Sequence, residues 1–249
     1  MEPADNTFSK RKFILVTLLI WLLFVLIAIP QWMIICLYSK NPLLFTLILL
    51  LAGFILLACI HLFEAMRYRR PWNIIFVLIC YELLTIGVAL FLSKWNLLHT
   101  LILIGAGILI SGLVLLVSYL LIINRLYPNP TKVAVLACLG FILVFCIRSI
   151  DLFTNWFFIR DVEVSLFLAS VFVVMICHIL ITNDNFDLLR QDDVMHVAFV
   201  LQICFMLLMI ACRVAAFCVK ENIEYFDSRS KTTRYYTIDT NTTRREDDF

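Results

Sequence analysis

The chain has 249 residues, of which 63% are hydrophobic and 15% are charged, and its net charge is +2. Soluble domains are roughly 45–50% apolar and about 25% charged, so this composition excludes a water-soluble globular fold. The charged residues cluster between long apolar runs, which indicates an integral membrane protein whose solvent is lipid. The net charge itself indicates no partner, and no nucleic-acid partner is expected.

Seven apolar runs follow one another along the chain. A helical span of the bilayer needs about 20 apolar residues, and these runs are continuously apolar rather than alternating. We therefore predict an all-α bundle of about seven transmembrane helices over residues 13–217. Residues 1–12 form a polar segment before it, and residues 218–249 are predicted to be a disordered polar tail. The runs are residues 13–37, 43–63, 72–92, 97–123, 133–147 (with an extension through 158 left open), 164–182 and 194–217.

Lysine and arginine residues mark one side of the predicted bundle. Cytosolic loops carry the excess of these residues, so the N-terminus is predicted to be cytosolic. Seven full spans then place the tail on the far side, whereas its own basic residues favour the cytosolic side. A half-spanning hairpin in the last run would remove this conflict. The basic residues on the N-terminal side are Lys10, Arg11, Lys12, Arg67, Arg69, Arg70, Arg125, Lys132 and Arg190.

Four short motifs lie in a fixed order between and within the runs. They are Arg69-Arg70-Pro71-Trp72-Asn73, Tyr81-Glu82-Leu83-Leu84-Thr85, Ile181-Thr182-Asn183-Asp184 and Asp192-Asp193 followed by Val194-Met195-His196-Val197-Ala198. Their order and spacing resemble the transmembrane Bax inhibitor motif family, in its lifeguard branch. The resemblance covers about residues 10–217.

The resemblance implies a function and a site. Members of this family are multi-span proteins of the endoplasmic reticulum, Golgi or plasma membrane, associated with suppression of cell death and a pH-sensitive calcium leak. It therefore implies an endomembrane protein that is not an enzyme, has no cofactor, and conducts calcium ions or protons. The family leak is attributed to two aspartates, one ending the sixth helix and one in the last helix.

Only half of that pair is present here. Asp184 matches the first aspartate, with Asp187 as the alternative match, and Cys204 occupies the second position. A thiol with a reference pKa of about 8.5 cannot replace a carboxylate that titrates near neutral pH. A competing hypothesis is therefore a non-conducting membrane scaffold that acts on other membrane proteins through helix contacts.

Other polar residues are candidates for the same site. Glu82 lies near the middle of the third run, where a carboxylate costs roughly 2.5 kcal/mol or more. It is either a cation or proton ligand or a structural hydrogen-bond acceptor. Arg213 either extends to the interface or pairs with Asp184 across a hairpin. Glu64 and Arg67 either pair with each other or form a latch across the ion path.

Four histidines raise the alternative of a membrane hydrolase that binds zinc. They are His61, His99, His178 and His196. The chain has no HExxH motif and no histidine pair four residues apart, so no metal site is predicted.

Gly107 and Ser111 are four residues apart in the fourth run, and this spacing favours close helix packing. A seven-helix receptor is supported by helix number alone.

Overall fold

A computed structural model describes residues 10–38, 43–63, 69, 71–93, 97–154, 157–189 and 193–243, with the backbone alone at 43, 152–154, 157–158 and 226–243. These residues form seven long helices, one short 3-10 helix and no strand. The helices are α1 (Lys10–Tyr38), α2 (Leu43–Leu62), α3 (Trp72–Leu92), α4 (Leu97–Asn124), α5 (Pro130–Thr154), α6 (Phe157–Asp184) and α7 (Asp193–Thr243), and the 3-10 helix is Phe186–Leu188.

The predicted all-α membrane bundle is confirmed. All seven helices are long and apolar enough to cross a membrane. Much of their outer surface is leucine, isoleucine and phenylalanine, which is favourable against lipid and costly against water. Because lipid cannot hydrogen-bond to a free backbone, helices satisfy the backbone donors and acceptors within each span. The integral membrane assignment therefore follows from both composition and structure.

The helices run alternately up and down, so the bundle has two ends. We call the end that holds Lys10, Asp184 and the start of α7 the proximal end, and the opposite end the distal end. Phe13 packs edge-on against Phe186 at the proximal end, with ring centroids 5.4 Å apart. At the distal end, Arg213 lies over the ring of Phe91, 4.8 Å from its centroid.

α7 forms the centre of the bundle. It packs against α1, α3, α4 and α6, whereas α5 packs mainly on α6, and α2 mainly on α3. Large side chains pack around α7 in the interior of the bundle. Trp32, Tyr81, Phe199 and Phe205 are almost fully buried. The indole ring of Trp32 stacks on Phe205 with centroids 6.0 Å apart.

Small residues allow two pairs of helices to approach closely. A Cβ added at Gly53 would lie 2.6 Å from Leu84 Cδ2, and one added at Gly87 would lie 2.8 Å from Leu50 Cδ2. These reciprocal contacts hold α2 against α3. A Cβ added at Gly107 would lie 2.5 Å from Met209 Sδ, so the predicted packing role of Gly107 is confirmed between α4 and α7.

The fifth and sixth helices are longer than the apolar runs that predicted them. α5 continues to Thr154, and α6 begins at Phe157 and includes three charged residues before its apolar run. Arg148 Nη1 lies 3.0 Å from Asp151 Oδ2 within α5 and 3.7 Å from Glu163 Oε2 on α6. These ion pairs compensate the charged side chains, so the two helices extend through a segment that is less apolar.

The last helix contains no half-spanning hairpin among the described residues. α7 is one continuous helix from Asp193 to Thr243. Polar contacts just beyond the apolar run explain why the helix continues. Glu221 forms an ion pair with Arg160 on α6. Asn222 Nδ2 donates to Asp161 Oδ1 at 3.1 Å, and Lys220 lies 3.7 Å from Glu224 one turn later.

Candidate functional site

Asp184 is the last residue of α6 and is exposed at the proximal end. Its carboxylate accepts a hydrogen bond from the hydroxyl of Tyr127, with Oη 2.7 Å from Oδ1. Asn183 Nδ2 is a second donor, at 3.3 Å. An open pocket of about 370 Å³ lies beside the pair, lined by the α4–α5 connection and the end of α6. Asp184 is therefore a hydrated carboxylate with a specific hydrogen-bond donor.

The connection between α4 and α5 places Tyr127 next to Asp184. α4 ends at Asn124, and Arg125 adopts a left-handed conformation with φ of 52°. The N–H of Leu126 then donates to the carbonyl of Leu121 at 3.2 Å, which is a common way to close a helix end. The hydrogen bond to Asp184 raises the pKa of the Tyr127 hydroxyl above its usual value of 10.0, so this hydroxyl remains a donor at neutral pH.

Cys204 lies inside the bundle and away from Asp184. It is almost fully buried on α7 within the main apolar core. The rise of an α-helix places it about 16 Å along α7 from Asp193, toward the distal end. The two positions that the resemblance pairs are therefore separated in this structure, with an exposed carboxylate at one and a buried thiol at the other.

Glu82 faces outward from the bundle at mid-span. Its side chain is exposed, and it lies on a face of α3 with the exposed apolar residues Ile75, Leu78 and Ile79. Gln31 on α1 is its hydrogen-bond donor, with Nε2 3.2 Å from both carboxylate oxygens. The predicted hydrogen bond to another helix is therefore present. The carboxylate lies on the lipid-facing surface and not in an interior path.

Arg213 does not join this site. Arg213 is buried near the distal end of the α7 span and lies over Phe91 on α3. Because α7 is continuous, Arg213 cannot reach the depth of Asp184, and the hairpin on which that pairing depended is absent. Glu64 and Arg67 lie outside the described residues.

Three of the four histidines gather at the proximal half of the bundle. The rings of His61 on α2 and His196 on α7 have centroids 4.8 Å apart. His178 Nε2 lies 3.2 Å from the carbonyl oxygen of Val197, and His99 lies near the start of α4 at the distal end. Among the described residues, no three histidine, cysteine or acidic side chains have the geometry of a metal site.

Gln31, Tyr127 and the pairing of Asp161 with Asn222 were not predicted from the sequence. Gln31 could have been, because an amide side chain inside an apolar run indicates a hydrogen-bonding group on another helix. No sequence pattern indicates the contact of Tyr127 with Asp184, because this contact depends on how the α4–α5 connection folds back over α6. The contacts of Asp161 depend on α7 remaining helical beyond its apolar run, which hydropathy does not predict.

Comparison of the chain with protein-family models, with curated proteins and with solved structures gives no match.

Proposed function

We propose that this chain regulates calcium leak and cell death in an endomembrane, the endoplasmic reticulum or Golgi, with its N-terminus in the cytosol. We further propose that the hydrogen-bonded pair of Tyr127 and Asp184 is its proton-sensitive element. The resemblance to the Bax inhibitor family supports the first statement. The observation that supports the second is the 2.7 Å hydrogen bond that joins the α4–α5 connection to the end of α6.

The chemistry of this pair suits a response to protons. A hydroxyl that donates to an ionised carboxylate forms a short bond, roughly twice as strong as one between neutral groups. Protonation of Asp184 removes the charge and weakens the bond. The α4–α5 connection is then less firmly held to α6. One carboxylate and one tyrosine thus take the role that two carboxylates have in the family mechanism.

Calcium flux from reconstituted liposomes at a series of pH values tests the proposal. We expect a pH-dependent leak that Asp184→Asn abolishes and that Tyr127→Phe shifts along the pH axis. Asp187→Asn tests the alternative match to the family aspartate, an exposed acid in the following 3-10 helix, and the leak should survive this change; its loss there in place of Asp184→Asn would assign the role to Asp187. Absence of flux from the unmutated protein at every pH would contradict conduction.

The position of Cys204 provides a separate test of the lost aspartate. We expect Cys204→Asp to increase flux if a carboxylate at this depth still contributes to an ion path. Cys204→Ser is the control, because it adds polarity without a charge. Equal flux from the two variants would show that this position no longer serves conduction.

A second candidate function is that of a non-conducting scaffold, favoured by the outward-facing pair of Glu82 and Gln31. A carboxylate at the bilayer centre costs about 2.5–3.5 kcal/mol on insertion scales, and such groups normally face a bundle interior. One hydrogen-bond donor offsets part of that cost. A polar helix from another membrane protein against this face would offset more.

Site-specific photo-cross-linking in membranes tests the scaffold. A photoreactive residue at Leu78, one turn before Glu82, should give a discrete protein adduct that Glu82→Leu removes. The same residue at the exposed Leu109 on α4 is the control for random lateral collisions. Equal adducts from both positions would leave the scaffold hypothesis without support.

A further inference from the structure

A cavity of about 480 Å³ lies in the proximal half of the bundle; it shares Asn183 with the surroundings of Asp184, but neither Asp184 nor Tyr127 lines it. Its walls come from α1, α4, α6 and α7, and the ring of Phe186 closes part of the proximal end. Leu115, Ile179 and Leu201 are among the apolar side chains that line it. Cavities of this size and apolar character are typical of sites for small organic ligands.

The cavity opens sideways toward lipid. Ile14 and Leu18 on α1 and Leu116 and Tyr119 on α4 line it, and all four are also exposed on the outer surface. The opening between α1 and α4 is therefore at the depth of acyl chains. A lipid chain can enter from the bilayer without crossing water. It moves from one apolar environment to another, so no apolar surface is exposed to water on the way.

Two polar groups show which kind of apolar molecule fits. Lys10 lines the proximal rim, with its ammonium 5.6 Å from the centroid of the Phe186 ring. Thr17, two turns deeper on α1, lines the cavity with a buried hydroxyl that has no hydrogen-bond acceptor among the described residues. A buried hydroxyl without an acceptor costs roughly 1–3 kcal/mol, so a ligand oxygen at this position would be favourable.

We propose that this cavity binds one acyl chain of an anionic phospholipid, with the lipid phosphate near Lys10 and an ester oxygen near Thr17. The charge of the surroundings agrees with such a headgroup. Arg11 and Lys12 adjoin Lys10, and Arg125 and Lys132 lie at the same end of the bundle. If this end faces the cytosol, as the basic residues predict, it meets the leaflet in which anionic lipids are concentrated.

Photo-labelling of the full-length protein in vesicles tests the proposal. The vesicles contain phosphatidylcholine or phosphatidylserine with a diazirine in the acyl chain, and mass spectrometry locates the label. We expect label on α1 and α4 at the cavity to exceed label on the exposed apolar face of α5, which does not line this cavity. We expect phosphatidylserine to label the cavity about five-fold more than phosphatidylcholine, the factor for one lysine near an anionic surface.

Matched variants separate the cavity from general contact with lipid. Leu18→Trp places a large ring at the opening and should remove the excess label, whereas Leu19→Trp, on the exposed face beside it, should not. Lys10→Gln should abolish the preference for phosphatidylserine, whereas Lys220→Gln, at an exposed lysine of α7 near the distal end, should keep it. Equal labelling of α1, α4 and α5, equal effects of the two tryptophans, or a preference that survives Lys10→Gln would each overturn the proposal.

Discussion

Asp184 and Glu82 are both carboxylates on membrane helices, and the bundle gives them opposite surroundings. Asp184 is at a helix end, exposed, with a phenol as its closest donor. Glu82 is at mid-span among exposed apolar side chains, with an amide as its donor. Residue type alone therefore does not decide the role. Depth and the neighbouring donor distinguish the carboxylate at the helix end from the carboxylate at mid-span.

The Tyr127 phenol should titrate above its ordinary pKa because of Asp184. A group whose pKa is raised on folding stabilises the fold below its unfolded pKa and loses that contribution as pH rises through the folded value. The contact is therefore intact at neutral pH and lost in strong alkali. Ultraviolet difference titration of the protein against Tyr127→Phe should give a midpoint above 10.0. Asp184→Asn should lower it, and Asp187→Asn should leave it unchanged.

Gln31→Leu should destabilise the protein by about 1 kcal/mol, the scale of an interhelical hydrogen bond in a membrane. The variant removes the donor and leaves Glu82 alone at mid-span. Adding Glu82→Leu should restore the stability or exceed it, because no polar group then remains unpaired. Unfolding of the purified variants in mixed micelles measures both changes. An additive loss in the double variant would show that the two side chains are not coupled.

At the scale of helices, small residues and interhelical ion pairs determine how the elements fit. Gly53 and Gly87 bring α2 and α3 together by close packing, and Cys80 Sγ on α3 lies 3.3 Å from the carbonyl oxygen of Gly53 on α2. Arg160 and Asp161 instead use polar contacts, which join α6 to a part of α7 beyond its apolar run. Close packing fixes the first interface, and charge complementarity fixes the second.

Gly87→Val should destabilise the bundle by about 1–3 kcal/mol, the usual cost of overpacking. A Cβ at Gly87 would already lie 2.8 Å from Leu50 Cδ2 and 3.4 Å from the backbone nitrogen of Leu50, so α2 must shift. Gly105→Val is the matched control on α4, since a Cβ at Gly105 meets nothing within 4 Å. Thermal unfolding in detergent compares the two. Equal losses would indicate helix propensity rather than packing as the cause.

At the scale of the whole molecule, the continuous α7 decides the relation between the two ends of the bundle. Seven helices that each cross the bilayer once place Lys10 and Tyr225 on opposite sides. The hairpin that would have returned the last segment to the N-terminal side is absent. If each helix crosses the bilayer once, the helix beyond Tyr225 lies across the membrane from Lys10.

Epitope tags at the two termini should therefore show opposite protease accessibility in sealed vesicles. The residues Asn241-Thr242-Thr243 form a sequon for N-glycosylation. With the N-terminus cytosolic, as the basic residues predict, this sequon is on the lumenal side. A glycan there should increase the apparent mass, and Asn241→Gln should remove the increase. Digestion of both tags from the same side would contradict seven single crossings.

Most of the fold, and little of the site, is determined by local sequence. Hydropathy over each run predicted every helix, because burial in lipid is a property of the segment itself. It placed the ends of α6 and α7 incorrectly, because Arg160, Asp161 and Glu221 are polar alone and compensated only when the helices meet. The surroundings of Asp184 depend on a loop, and no periodicity places Tyr127 above it.

The sequence by itself determined that the chain is a seven-helix membrane protein, since apolar length and continuity decide what can cross a bilayer. The resemblance to the Bax inhibitor family, with Cys204 at the position of the second family aspartate, stays a prediction from the sequence. Only the tertiary structure decided which polar side chains meet. Gln31 and Glu82 are 51 residues apart, and Tyr127 and Asp184 are 57 apart. Such pairs depend on the rotation and depth of each helix, which arise from packing of the whole bundle.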